Sequence, residues 1–202
     1  VAITRYIAPV LDSAGVPLLD SNGVQILYLN LERGRKMAVE TTAGARFFIG
    51  PQADVDAINA MSEAAAIAHF EAVTGWTEVE EVEDLGTIGD SSDEITFTAL
   101  KNRRVRKIKG PRNGGTQNVV VGRDPLDDGQ NALIDAEKTD YDYYFKVIYD
   151  DARGDSYTES VDYYAGMVMT RQANLGNGSN VTRRNFNIGI NTGVYSVDTV
   201  GA

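Results

Sequence analysis

A chain of 202 residues, 43% apolar and 24% charged, can bury a core as one domain or as one domain with arms. It has no Cys, which excludes disulfides and thiolate metal sites, and its net charge of −10 argues against a dedicated DNA binder, whose affinity comes from Lys and Arg. No apolar run reaches the ~18 residues of a membrane span and no basic-then-apolar opening marks a secretory signal, so synthesis in a cytoplasm without membrane insertion is expected.

The chain opens on a short tandem repeat, Pro9–Val16 followed by Pro17–Val24, each copy an extended Pro-led piece and a tight turn. Two copies are too few for a solenoid, which needs about three. They read as two small turns, or as an arm lying on a neighbouring subunit. Leu27, Leu29 and Leu31 alternate, Arg33-Gly34-Arg35 turns, and Met37 and Val39 alternate again, which predicts a hairpin. Residues 1–45 are therefore assigned to an N-terminal arm and hairpin packed on or between subunits. Residues 46–202 are assigned to the main domain. Within it, Arg46–Gly50 reads as a short buried strand ended by Pro51.

The Ala-rich, Gly-free run from Asp54 to Val73 predicts one long helix ending at Gly75. The lone histidine, His69, lies on it and reads as surface or packing. Ile95–Leu100 has the β-branched and aromatic composition of a strand. Asn113-Gly114-Gly115 is a turn, Asn118–Val121 a buried strand, and Asp124–Gln130 a helix start with capping carboxylates. Tyr141–Asp150 alternates strongly, with its odd positions inward. The return strand is expected to present Val161, Tyr163, Ala165, Met167 and Met169 to the core. Asn174–Asn180 is a loop, Phe186, Ile188 and Ile190 form another inner face, and the tail from Gly193 is one more short strand or an arm. The sum is eight or nine strands with one long and one short helix. Turns at regular intervals predict antiparallel pairing: a mainly β chain, a sandwich or partly closed barrel, flanked by one or two helices.

Motifs for chemistry are weak. Arg153-Gly154-Asp155 spells an adhesion tripeptide at a predicted hairpin tip, where Gly and Asp belong anyway. Asn177 and Asn180 match a glycosylation pattern without a secretory signal to use it. Asp150, Asp151 and Asp155 lack the spacing and terminal Glu of a calcium loop. With one His and no Cys, the usual nucleophile–base pairs are missing. No catalytic residue, metal site or cofactor is assigned.

The charge pattern is more informative. Glu78, Glu80, Glu81, Glu83, Asp84, Asp90, Asp93 and Glu94 form an acidic block; Lys101, Arg103, Arg104, Arg106, Lys107, Lys109 and Arg112 form a basic one. Opposite charges on cross-strand neighbours stabilise pairing by about 0.2–1 kcal/mol each. Glu78–Asp84 and Arg103–Lys109 face each other within one sheet, or meet across a subunit boundary, where complementary charge fixes register and partner choice, or do both in part. Glu78, Glu80, Glu81, Glu83, Arg103, Arg104, Arg106, Lys107 and Lys109 are thus candidate interface residues.

Several short segments, in order, carry a resemblance. Trp76-Thr77-Glu78-Val79, Val82–Gly86, Ile95-Thr96-Phe97, Arg104–Gly110, Gly115-Thr116 and Asp124-Pro125 with Asp128-Gly129-Gln130 are similar to the tail tube proteins (major tail proteins) of long, flexible-tailed, siphovirus-like bacteriophages. Tyr144–Val147, Gly166-Met167-Val168 and Asn187–Asn191 extend the likeness. Residues 1–45 and the Ala-rich helix match no short motif of that family. The resemblance implies an antiparallel β-sandwich flanked by a helix, in hexameric rings that stack into a tube. It implies a non-enzymatic virion component, assembled in the host cytoplasm. Expected partners are the chain itself, the tape-measure protein and the tail-tip and tail-terminator proteins, with genomic DNA passing through without specific binding. Part of the acidic surface is expected to face the lumen. A ring component of the same fold at the tail tip, the head–tail junction or in a secretion tube is the alternative. Further off stand a β-sandwich binding module and a carboxylate-pair hydrolase.

Overall fold

The computed structural model describes residues 41–100, 104–152 and 157–200. The tandem repeat, the hairpin expected from Gln25, Lys101, Arg103 and the Arg153–Asp155 tripeptide lie outside these residues. The described part is mainly antiparallel β. In chain order it contains β1 (Arg46–Gln52), α1 (Val55–Asn59), α2 (Glu63–Ala72), β2 (Thr77–Val79), β3 (Val82–Asp84), β4 (Ser91–Thr98), β5 (Val105–Asn113), β6 (Thr116–Gly122), α3 (Asp128–Glu137), β7 (Tyr143–Ile148), β8 (Val161–Asn174), β9 (Arg183–Ile190) and β10 (Tyr195–Val197).

Eight strands share one sheet in the order β2-β1-β7-β8-β9-β6-β3, with β10 also on β8. The long strand β8 turns this sheet into a sandwich. Its first half, Val161–Gly166, pairs with β7, and Val161–Tyr163 also pair with β10; from Gly166 to Asn174 it pairs with β9. Gly166 sits at the changeover. A Cβ there would lie 2.2 Å from the Gly189 carbonyl oxygen, so only glycine lets the backbones approach. The inward side chains of both halves meet in one core: Phe47, Ile49, Phe145, Val147 and Tyr164 from one, and Val119, Val121, Val168, Phe186, Ile188 and Ile190 from the other. Phe47 stacks on Phe145 at 5.8 Å, and Phe145 on Tyr164 at 5.4 Å. Each buried ring contributes roughly 1.5–3 kcal/mol. The hydroxyl of buried Tyr164 donates to Gln117, whose amide donates to the Leu85 carbonyl at 2.9 Å, so neither polar group is stranded.

A second, smaller core lies on the other face of the β7–β8 half. Ile58, Ala66 and Phe70 pack there on Tyr144 and Ala165, with Trp76, Tyr163 and Tyr195 around them. His69 belongs to this packing: its Nε2 lies 2.8 Å from the Tyr144 hydroxyl.

Several expectations are corrected. The helix over Asp54–Val73 is two helices. Ser62 breaks it: extended at φ −71°, ψ 156°, it accepts from the Ala65 N–H at 3.4 Å and caps α2, as Asp54 caps α1 through Ala57 at 3.0 Å. The second helix stops at Ala72, short of Gly75. Strand β1 runs through Pro51 to Gln52, because the register with β7 slips between Ile49 and Gln52 and a proline at a bulge has no N–H to waste. Strand β4 ends at Thr98, short of Leu100. The inner face of β8 is mostly the other parity: Tyr164 and Val168 enter the main core, Tyr163 and Ala165 face the helices, and Met169 is exposed. A strand covered on both faces loses the alternation that marks its inside. Ten strands and three helices are present among the described residues.

Candidate assembly surface

Strands β4 and β5 form a separate two-stranded sheet that pairs with no other strand among the described residues. Their register sets Ile95 opposite Ile108, Thr96 opposite Lys107, Phe97 opposite Arg106 and Thr98 opposite Val105. Near the root the register shifts between Ser92 and Glu94, opposite Gly110-Pro111, which lie between their partners Arg112 and Lys109. Alternation then gives the hairpin two unlike faces. One carries Ile95, Phe97, Ile108 and Arg106. The other carries Glu94, Thr96, Thr98, Val105, Lys107 and Lys109. Every residue of β4 and all of β5 except Gly110 are exposed. An isolated two-stranded hairpin is marginal in water, and this one presents an uncovered apolar stripe.

Its charge is set against the rest of the chain. Residues 91–113 hold seven Lys or Arg and two Asp or Glu, net +5, which leaves −15 for the remainder of a −10 chain. Within the arm, Lys107 pairs with Glu94 at 2.7 Å; at its root, Arg112 lies 3.7 Å from Asp90 and the Ser91 hydroxyl donates to the Asn113 carbonyl at 3.2 Å. A cleft of about 770 Å³ opens beside the root, lined in part by Asn59, Met61, Glu63, Asp90, Arg112 and Tyr195.

The acidic candidates stand elsewhere. Glu78 is on β2, opposite Phe48 of β1; Glu80 and Glu81 make the β2–β3 turn, with Glu81 in the left-handed region at φ 55°. Glu83 is bound by Arg183, whose guanidinium holds its carboxyl below the usual carboxylate range. Strand β2 pairs with β1, β3 with β6 and β5 with β4. Glu78–Asp84 therefore do not oppose the basic strand in one sheet, and that alternative is overturned, whereas Glu94, at the end of the acidic block, lies opposite Lys109. Register is a long-range property that local charge order does not reveal.

The helix start at Asp124–Gln130 does more than cap. One oxygen of buried Asp127 accepts from the Gly129 N–H at 2.8 Å and the other from the Glu80 N–H at 3.0 Å. The Gln130 amide donates to the Gly122 carbonyl at 2.8 Å and accepts from the Asp124 N–H at 3.2 Å. Together they bolt α3 to the β2–β3 turn that carries the acidic block. Sequence reasoning missed Lys146, whose ammonium lies 4.6 Å from the ring centroids of both Phe48 and Trp76, and whose pKa burial and Arg46 push down. Its position inside an alternating strand was the available signal. Among the described residues no three His, Asp or Glu side chains are placed to hold a metal ion, and no helix is long and apolar enough to cross a membrane.

No protein-family model matches the sequence, and no curated protein matches it significantly. Solved structures do match. The chain is similar to the SPP1 tail tube, solved by solid-state NMR and cryo-EM, at 12% identity and a TM-score of 0.51, with 76% of each chain covered. It is also similar to a chain of the anti-feeding prophage baseplate, a 6-fold symmetrised cryo-EM structure, at 7% identity and a TM-score of 0.56, covering 80% of this chain and 98% of that one. A crystal structure of an Hcp protein is a looser match, at 12% identity and a TM-score of 0.38, with 76% and 98% covered. At these identities the likeness is one of fold. The architecture is an antiparallel sandwich with flanking helices and a projecting hairpin. It is the fold of tail-tube proteins.

Proposed function

We propose that this chain is a structural subunit that binds copies of itself in hexameric rings, and that the rings stack into a phage tail tube through which DNA passes. The observation that carries the reading is the β4–β5 arm: an amphipathic, net-positive hairpin with an uncovered apolar stripe, on a body that is strongly negative. Such an arm gains stability only against another surface, and the other surface of opposite charge is a second copy. A contact between an arm and a different patch is heterologous; it builds rings when the rotation closes and filaments when it does not. Arg103, Arg104, Arg106, Lys107 and Lys109 belong to the contact on one side in this reading, and Glu78, Glu80, Glu81 and Glu83 to the receiving side.

The lumen wall in this reading is the outer face of β6, β9 and β8. Register puts Thr116, Asn118, Asn185, Asn187, Thr170 and Gln172 on it, with Arg183, bound by Glu83, and Asp84 of β3 at its margin. Amides and hydroxyls offer phosphate no fixed cation, and the Arg183 guanidinium at the margin is already bound by Glu83. Carboxylates at the margin repel it only within the ~8 Å Debye length of physiological salt. The tape-measure protein, tail-tip and tail-terminator proteins are the further partners, the virion tail is the location, and no catalytic step is assigned. A ring component of a baseplate is the second reading, favoured by the 98% coverage of the baseplate chain.

Negative-stain electron microscopy with a sizing column tests this. Tubes or six-fold rings are expected, and Arg104→Glu with Arg106→Glu is expected to abolish them. Particles that stay monomeric at high concentration, alone and with tail-tip proteins, would refute the proposal.

A further inference from the structure

Three arginines from distant parts of the chain converge at one end of the sandwich. Arg184 on β9 lies opposite Val121 of β6 and Ala173 of β8; Arg171 of β8 lies opposite Phe186. Directly opposed residues of antiparallel strands share a face, so Arg184 and Arg171 stand on the same inward face as Phe186, as diagonal neighbours about 7–8 Å apart. Arg123 continues β6 two residues beyond Val121 and is held by its N–H on the Thr182 carbonyl at 2.9 Å. Arg183, one position from Arg184, points to the other face and is bound by Glu83. Among the described residues, Glu137 at the end of α3 lies 3.9 Å from Arg171, the outer limit of an ion pair. Nη1 of Arg184 is enclosed and has no hydrogen-bond partner among the described residues. Burial and the charges of Arg123 and Arg171 push the Arg184 pKa down.

A buried N–H without a partner is costly, and more so on a charged group. Guanidinium forks match the paired oxygens of a carboxylate or phosphate. We propose that Arg123, Arg171 and Arg184 form an anion site that is completed by a carboxylate side chain of a second copy of this chain. The occupant follows from charge: outside the arm the chain is −15, so a self-contact at this end brings carboxylates to it. The inference rests on the self-association reading and adds a second contact, separate from the arm. Inorganic phosphate shares the chemistry and serves as the probe.

The test has two parts. Dilute protein is melted in sodium phosphate and in sodium chloride at matched ionic strength. Wild type is expected to melt higher in phosphate, and the difference to vanish in Arg184→Gln and in Arg171→Gln. The second part is sedimentation velocity across a concentration series. Arg184→Gln is expected to weaken association at least about tenfold, with phosphate competing against association of the wild type. Running both variants guards against one that misfolds. Association untouched by both variants overturns the assignment to a second copy, and phosphate stabilisation that survives in that case marks a free-anion site instead. If phosphate and chloride act alike as well, the arginines form no site. A wild type that never associates sinks the tube reading and the second-copy assignment together, while the melting comparison still decides whether an anion binds.

Discussion

Replacing the apolar stripe of the arm separates assembly from folding. Ile95 is 49% exposed, Phe97 54% and Ile108 54%. About half of each side chain is thus still in water and available to a partner. Full burial of such a side chain is worth roughly 1.5–3 kcal/mol, so covering the exposed half contributes about 0.8–1.5 kcal/mol. Each 1.4 kcal/mol is tenfold in affinity. Ile95→Ser or Ile108→Ser alone is expected to weaken self-association about four- to tenfold. The triple variant with Phe97→Ser is expected to weaken it by roughly two to three orders of magnitude, allowing for non-additivity. The sandwich does not use these residues, since none of them enters either core. Its unfolding free energy is expected to stay within about 0.5 kcal/mol of the wild type. Sedimentation velocity reads the first quantity. Urea denaturation followed by Trp76, the only tryptophan, reads the second from the body, where its ring lies 6.4 Å from that of Tyr144. A fall in the urea midpoint with association unchanged would refute the reasoning, because it would make the arm part of the fold rather than of the contact.

Two more predictions concern the body. Gly129→Ala places a Cβ 2.0 Å from the Glu78 carbonyl oxygen, so α3 or β2 must shift; the variant is expected to lose about 1–3 kcal/mol or more in denaturant unfolding. Glu83 has a pKa lowered from 4.5, first by its hydrogen bonds to Arg183, so its contribution to stability is present above the unfolded value and is lost as pH falls through the folded one. Glu83→Gln is therefore expected to make acid unfolding begin from a lower plateau and to flatten stability against pH below about 4.5, as read by thermal melts across an acid series. Salt is expected to reduce the effect, since the pair is exposed.

The arrangement divides labour between two parts of the chain. The sandwich is held by aromatic stacking and by the Asp127–Gln130 network; it closes over its own core and covers one outer face with α1 and α2. The arm has no such closure. Its two strands pair with each other and, among the described residues, with no other strand, which leaves two open edges, a liability that natural sheets otherwise blunt or cover.

Local pattern alone determined the elements with one wet face or one strong signal. The alternation of Phe186, Ile188 and Ile190 is visible in β9, and those residues are the buried ones. The turn at Asn113–Gly115 and the capping carboxylates before α3 are equally visible, because Gly and Asp act within a few residues of themselves. The sign reversal between residues 78 and 112 marked the arm as unusual before its shape was known. Tertiary structure decided the rest. It chose the inner face of β8, which two cores bury from opposite sides. It split the Ala-rich helix at Ser62, where a side-chain cap outweighed high helix propensity. It sent the basic strand to β4 and not to Glu78–Asp84, since pairing partners are selected over the whole chain by register and burial. It also brought Arg123, Arg171 and Arg184 together across tens of residues of sequence. Sequence order carries short-range preferences faithfully, whereas a site built by strand register exists only once the sheet has closed.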